Sequence, residues 1–236
     1  AALHESYQRA QWAFGEIFQD CVSGLAFLHV GDATRARSLY ERSLESAVAL
    51  HGQLSPFASM PALLLAEILY EQNDLDRARQ LVADYLDVAH GLGYVDKLIA
   101  AYLVKARLEA GGGQIETAQR TLDEGDRCAR VTGFARLHAN ISCERMRLLS
   151  ANSAAVLDLA RTAGLLGSCS ALQPNVGVTS STEKLAISWA YAARANGDID
   201  GAIRLLKSWY RFVMARRCLR SGLRLAVELG TLFYLR

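Results

Sequence analysis

The side chains with reactive or ligating chemistry are few and scattered. Cys21, Cys128, Cys143, Cys169 and Cys218 are odd in number and widely spaced, and no CxxC pair occurs. They predict neither a disulfide framework nor a zinc site, but reduced, buried thiols in a cytosolic protein. His4, His29, His51, His90 and His138 never fall at ligand spacing, so they are expected at surface or helix-end positions and not on a metal. Gly111-Gly112-Gly113 has no following Lys, and GxxxxGK[ST] is absent from the sequence, so the phosphate cradle of a nucleotide site is missing. A nucleophile elbow, an HExxH and a paired set of metal carboxylates are absent too. The expectation is a chain that is not an enzyme and binds no cofactor of its own.

Composition narrows the class further. The chain has 236 residues, 51% hydrophobic and 21% charged, with only three prolines. That is enough apolar material for a folded core, and it excludes general disorder. Lys plus Arg number 26 against 24 Asp plus Glu, a net charge of +2. So even a balance supplies no global field for nucleic acid or an anionic membrane. No basic start, apolar run and small-residue cleavage site marks a signal peptide. The longest uncharged run, Thr162 to Thr182, is rich in Gly, Ser, Thr and Pro and reads as a loop and not a membrane span. A soluble, cytoplasmic chain is expected.

The elements that must position any site are helices. Alternating β-branched runs do not appear. Leu63, Leu64, Ile68 and Leu69 make one helical stripe, and Leu81, Val82, Tyr85, Leu86 and Ala89 make another. Pro56, Pro61 and Pro174 are expected between stripes or at a first helical turn. The chain is predicted to be all-α.

A short phrase recurs between stripes. Gly31-Asp32-Ala33-Thr34-Arg35-Ala36 is echoed by Asn73-Asp74-Leu75-Asp76-Arg77-Ala78, by Gly113 to Ala118 and by Gly197 to Ala202. The Gly or Asn suits the left-handed residue that ends one helix, and the Asp suits a cap on the next. Gln114 replaces the Asp in the third copy, which predicts a weaker cap. The closing alanines lie roughly 40 residues apart, with a degenerate copy around Ser150 to Ala155 filling a double step. Twelve positions before each closing residue stands a small one: Gly24, Ala66, Ala106, Cys143 and Ala190. That is the tetratricopeptide arrangement, in which small residues on paired helices face each other. The spacing exceeds the usual period of about 34, so longer connections are expected.

The predicted fold is therefore a right-handed superhelical solenoid of tetratricopeptide-like hairpins, with about five to six repeats of roughly 40 residues. Residues 1–236 form a single repeat domain in this reading, and 163–182 is a long inter-repeat loop.

The text from Leu63 to Leu81, LLLAEILYEQNDLDRARQL, resembles the helical sensor region of MalT-like, LuxR-family ATP-dependent transcriptional regulators. Ala100 to Leu108 and Cys143 to Leu149 extend the resemblance, which covers roughly Gly15 to Arg236. It implies an effector-binding domain cut from a longer activator. A small-molecule inducer would sit in the concave groove, and the signal would pass to separate nucleotide-binding and DNA-binding domains. ATP would bind one of those, with no direct nucleic-acid or membrane contact from this chain. Other domains of the same regulator are the implied partners, with self-association as a further possibility. The alternative is an interaction scaffold holding a peptide or regulator domain in the groove.

With the small positions as register, the groove-facing set is Met60, Leu63, Glu67 and Tyr70, then Leu103 and Arg107. Asn140, Glu144 and Arg147 follow, then Ile187, Tyr191 and Arg194, with Lys184 beside them. Trp189 and Trp209 are expected in the inter-helix core, and Trp12 and Phe14 at one end of the groove. From Gly201 to Val227 lie seven basic residues and no acidic one: Arg204, Lys207, Arg211, Arg216, Arg217, Arg220 and Arg224. Their spread predicts more than one helix face, as a solvated surface or as a docking or anion site.

Overall fold

The computed structural model describes residues 2–91, 94–175 and 180–236, with side chains from residue 15 onward. Its eleven described α-helices run α1 (Ala2–His29), α2 (Ala33–His51), α3 (Pro56–Glu71), α4 (Leu75–Tyr85), α5 (Val95–Gly111) and α6 (Ile115–Thr132), then α7 (Ala135–Leu148), α8 (Ser153–Thr162), α9 (Ser180–Ala195), α10 (Ile199–Ala215) and α11 (Leu219–Leu235). Short 3-10 segments occupy Asp87–Gly91 and Cys169–Leu172, and no strand forms among the described residues. The architecture is an all-α helical repeat of hairpins, as the periodicity requires.

The turn phrases act as their residue types demand. Gly31, Asn73, Gly113 and Gly197 all take positive φ, and the next residue's N–H reaches back five residues to a carbonyl: Asp32 to Phe27, Asp74 to Leu69, Gln114 to Glu109 and Asp198 to Ala193. This left-handed closure satisfies carbonyls that the helix end would leave orphaned. Asp32 and Asp198 then cap the next helix, accepting from the Arg35 and Gly201 N–H groups at 3.1 and 2.8 Å. Asp74 was expected to do the same but makes no such bond. Its carboxylate faces the Arg77 guanidinium instead, at 3.5 Å.

The degenerate copy needs a correction of one position. The turn between α7 and α8 is one residue longer than its counterparts, and it contains no positive-φ residue. Asn152 is the cap, accepting from the Ala155 N–H at 3.1 Å. The closing residue is therefore Val156, fully buried, and not Ala155. Cys143 keeps its place because the added residue lies in the turn. Ala36, Ala78, Ala118 and Ala202 are all fully buried, as close packing at that position demands.

The helices gather into two compact units, residues Ala1–Thr121 and Leu122–Arg236. In the first, α3 is apolar around its circumference and buried from Ala58 to Leu69, the signature of a helix enclosed on all sides. Its neighbours are α2, α4 and α5. Ser55 caps α3 and Pro56 opens it, which places Pro61 inside the helix and not in its first turn. The missing N–H and ring clash cost helix stability, and enclosure by three helices holds the segment together. On α1, a Cβ added to Gly24 would lie 2.3 Å from Cε1 of buried Tyr40 on α2. Glycine there is a packing requirement.

In the second unit, the core joins Met146, Val156 and Ala160 to Ile187, Tyr191, Leu206, Trp209 and Leu225. Trp209 is core, 1% exposed, whereas Trp189 is half-buried. Both also grip the connection after α8. Trp189 Nε1 donates to the Gly167 carbonyl at 3.0 Å and Trp209 Nε1 to the Leu172 carbonyl at 2.7 Å. The expected loop of 163–182 is thus shorter: it contains a 3-10 turn, and Ser180 to Thr182 already belong to α9. Its residues 176–179 lie outside the described residues, as do the side chains of His4, Trp12 and Phe14. Among the described residues no helix is long and apolar enough to cross a membrane.

Candidate functional site

The first helices of the second unit, α7, α9 and α11, carry the polar residues that a packed core would not need. On α7, Asn140, Glu144 and Arg147 follow helical spacing; on α9, Lys184, Tyr191 and Arg194 do the same. Glu144 is 4% exposed. It accepts from Arg147 Nε at 2.8 Å and Nη2 at 2.5 Å. Asn140 donates to the Arg136 carbonyl at 2.8 Å. Tyr191, also buried, donates its hydroxyl to Glu228 Oε1 of α11 at 2.6 Å. The Arg194 guanidinium lies 5.6 Å from the Tyr191 ring centroid and donates to the Ser150 carbonyl. A second tie joins the same two helices, from Ser221 Oγ to Glu183 Oε2 at 2.8 Å.

These groups feel one another's charge. Burial pushes the Tyr191 phenol well above its ordinary range, and Glu228 pushes it further. Burial likewise raises the Cys143 thiol; Lys184 and Arg224 pull it down, while Glu144 and Glu228 push it up. Neither group is poised for attack, because a thiol or phenol that holds its proton is a poor nucleophile and a poor base. The face presents charged and hydrogen-bonding groups.

In the first unit, Met60, Leu63 and Leu103 are 4%, 0% and 5% exposed. Groove-facing positions were expected for them; they pack in the seams between helices, as Ile187 does in the second unit at 2%. Glu67 is buried beside them. Tyr70 and Arg107 do meet, the guanidinium 5.9 Å from the ring centroid. Cavities open elsewhere among the described residues, three of them outside this set. One of about 490 Å³ is lined by Glu16, Asp20, Arg42 and Ser43 among others, and one of about 290 Å³ by Arg79, Val82, Lys105 and Leu108 among others. A third, of about 190 Å³, lies in the second unit against Trp189 and Leu165. None of the three is lined by any of the twelve expected groove residues.

Several polar residues escaped the sequence reading. Lys97 of α5 is fully buried, its Nζ 3.1 Å from Ser59 Oγ of α3. Burial lowers the ammonium to about 8. Nothing in the sequence marks it, since a lysine one turn into a helix normally reaches water. Lys105, Glu109 and Thr121 form a closed set, with Nζ at 2.6 Å from both partners. Asp126, 3% exposed, holds Arg130 at 2.5 Å and His138 Nδ1 at 2.7 Å. Among the thiols only Cys21 is buried; the other four are half-buried, not sequestered as expected. No cluster of three or more metal-ligating side chains occurs among the described residues.

The hairpin repeat and its left-handed closures agree with what comparison of the whole chain finds. A family model described as the MalT-like TPR region matches residues 4–227. The chain belongs to that family. Among curated proteins, this MalT-like TPR region is similar to the serine/threonine-protein kinase PknK of Mycobacterium tuberculosis, strains CDC 1551 / Oshkosh and ATCC 25618 / H37Rv. The PknK of Mycobacterium bovis is equally similar. Each is 33% identical over 226 residues, which is 95% of this chain and 19% of the relative. The MalT-like TPR region thus spans about one fifth of the length of these relatives. No solved structure matches it significantly.

Proposed function

We propose that this MalT-like TPR region is the regulatory helical part of a longer cytoplasmic signalling protein, and that its second unit receives a polypeptide on the face of α7, α9 and α11. The observation that carries this reading is the run of charge along that face around Tyr191: Glu144 and Lys184 buried, Arg224 and Glu228 half-buried, and Arg147 exposed. A peptide supplies backbone donors and acceptors at regular intervals, which such a face can match. The partner would be another domain of the same protein or a separate regulator. Binding would regulate only if it favoured one state of the parent over another.

The chain itself would perform no chemistry and hold no cofactor; ATP would bind a separate domain. Since the relatives are named as kinases, the output domain need not be the DNA-binding one of a LuxR-type activator. A small polar effector is the second reading. It is favoured by the pairing of Tyr70 with Arg107, where a half-buried ring and a half-buried guanidinium stand side by side.

The two readings separate by titration calorimetry on the full chain, against the other domains of its parent protein and against a metabolite set. Arg147→Gln removes an exposed charge and keeps an amide that can still donate to Glu144. Loss of domain binding in this variant, with unchanged melting, supports the polypeptide reading. Binding of a metabolite, with no domain interaction, would replace it with the effector reading.

A further inference from the structure

The basic stretch near the C-terminus resolves into two populations. Arg220 and Arg224 are half-buried on α11. Arg204, Lys207 and Arg211 are exposed along one stripe of α10, and Arg216 and Arg217 are exposed in the turn that follows. None of these five has a carboxylate partner among the described residues. Other second helices are arranged differently. Arg35 pairs with Asp32, Arg79 with Asp76, Arg130 with Asp126 and Arg161 with Asp158. On α6, Arg120 and Arg127 have no ion pair among the described residues, but Asp123 and Glu124 lie between them. The acids nearest in sequence are Asp200, one helical turn before Arg204 and held to Arg236 at 3.2 Å, and Glu228 on α11, which accepts from Tyr191.

The turn adds an independent observation. It closes as the other hairpin turns do, with the Cys218 N–H bonded to the Val213 carbonyl. Its left-handed residue, however, is Arg217 at φ 56°, where the equivalent positions hold Gly or Asn. A side chain with a Cβ is disfavoured there. A cation therefore stands, exposed, at the position where the backbone favours glycine.

We infer that the outer stripe of α10 and its turn, formed by Arg204, Lys207, Arg211, Arg216 and Arg217, is a docking surface for an acidic polypeptide segment. The five cations are available, because none is paired with a carboxylate among the described residues. Four are guanidinium groups, whose paired N–H donors match carboxylates two at a time. The rings within the patch do not favour nucleic acid. Arg216 already lies 3.6 Å over Phe212 and Lys207 4.9 Å over Phe233, so those ring faces are covered and unavailable for stacking bases. This surface lies on a second helix and is separate from the first-helix face proposed above, so either can fail without the other.

Fluorescence anisotropy of a fluorescein-labelled oligoglutamate peptide against the full chain tests the inference, at low and at physiological salt. The peptide binds, more weakly as salt rises. Replacing Arg204, Lys207 and Arg211 together by Gln weakens binding about tenfold or more, since surface charges act mainly by steering and complementarity. A control with Arg35, Arg79 and Arg161 changed to Gln binds as the unmodified chain does. Arg217→Gly separates a structural role from a binding role: it raises the melting temperature and weakens the peptide. Equal binding by the triple variant, or no binding at low salt, overturns the proposal. So does tighter binding of a thymidine oligonucleotide or of phosphatidylserine-containing vesicles than of the peptide.

Discussion

The Tyr191 hydroxyl donates to Glu228 Oε1 at 2.6 Å, joining α9 to α11 through residues 37 positions apart. Tyr191→Phe removes the donor and leaves a carboxylate oxygen beside a buried ring. The expected loss is about 1–3 kcal/mol, as for a hydrogen bond to a charged group, read by urea unfolding near neutral pH. The raised phenol adds a pH signature. Folding holds the proton beyond pH 10.0, the ordinary phenol value, so the folded state binds more protons than the unfolded one above that pH. The native stabilisation is complete below pH 10 and falls as pH rises further. In Tyr191→Phe that alkaline fall is smaller.

Lys97 has the opposite sign. Its ammonium titrates near 8 in the fold against 10.5 ordinarily. Between those values the unfolded chain binds the extra proton, so stability rises with pH from about 8 to about 10. Lys97→Met removes the cost of burying the charge and raises stability at neutral pH, by up to about 3 kcal/mol if the whole shift is recovered. Thermal melts across that pH range show a rise in the unmodified chain and a flatter profile in the variant. A variant that is less stable at pH 7 refutes the assignment.

Two glycines in helices give contrasting outcomes. Gly24→Ala drives a methyl into the Tyr40 ring, with Cβ 2.3 Å from Cε1, and costs about 1–3 kcal/mol as an overpacked core does. Gly230→Ala on α11 meets nothing within 4 Å and gains about 0.5–1 kcal/mol from helix propensity. Chemical denaturation of both variants checks the pair.

Trp209→Phe keeps most of the buried ring and loses the donor to the Leu172 carbonyl. The connection after α8 then has one indole anchor, that of Trp189. Limited proteolysis is expected to cut between residues 163 and 175 faster in this variant, while the rest of the chain keeps its resistance. Equal cleavage rates would show that the indole bond does not restrain the segment.

Much of the fold was legible in local text. The left-handed residues Gly31, Asn73, Gly113 and Gly197 and the caps Asp32 and Asp198 were readable because turn closure and capping act within a few residues of chain. The small positions recur at a set distance before the closing residue because the hairpins are of nearly equal length; at Gly24 the facing side chain is that of Tyr40. Even there, one added turn residue moved the fourth closing position from Ala155 to Val156. A repeat count alone does not detect such a slip.

The face residues were only half legible. Helical spacing sets Arg147 three residues after Glu144, where the two pair, whereas Tyr70 and Arg107 meet across two helices. It placed Met60, Leu63, Leu103 and Ile187 toward a groove when they are buried, because register on a helix says which residues share a side but not what covers it.

Local text alone revealed the helical hairpins, the left-handed residues Gly31, Asn73, Gly113 and Gly197, and the caps Asp32 and Asp198. These are short-range consequences of backbone sterics, capping and periodicity. Only the tertiary structure decided which charges are answered. Lys97 buried against Ser59, Tyr191 bonded to Glu228, and the α10 cations left without carboxylates all depend on residues far apart in sequence. Burial and electrostatic pairing are properties of three-dimensional neighbours, and neighbours exist only once the helices have packed.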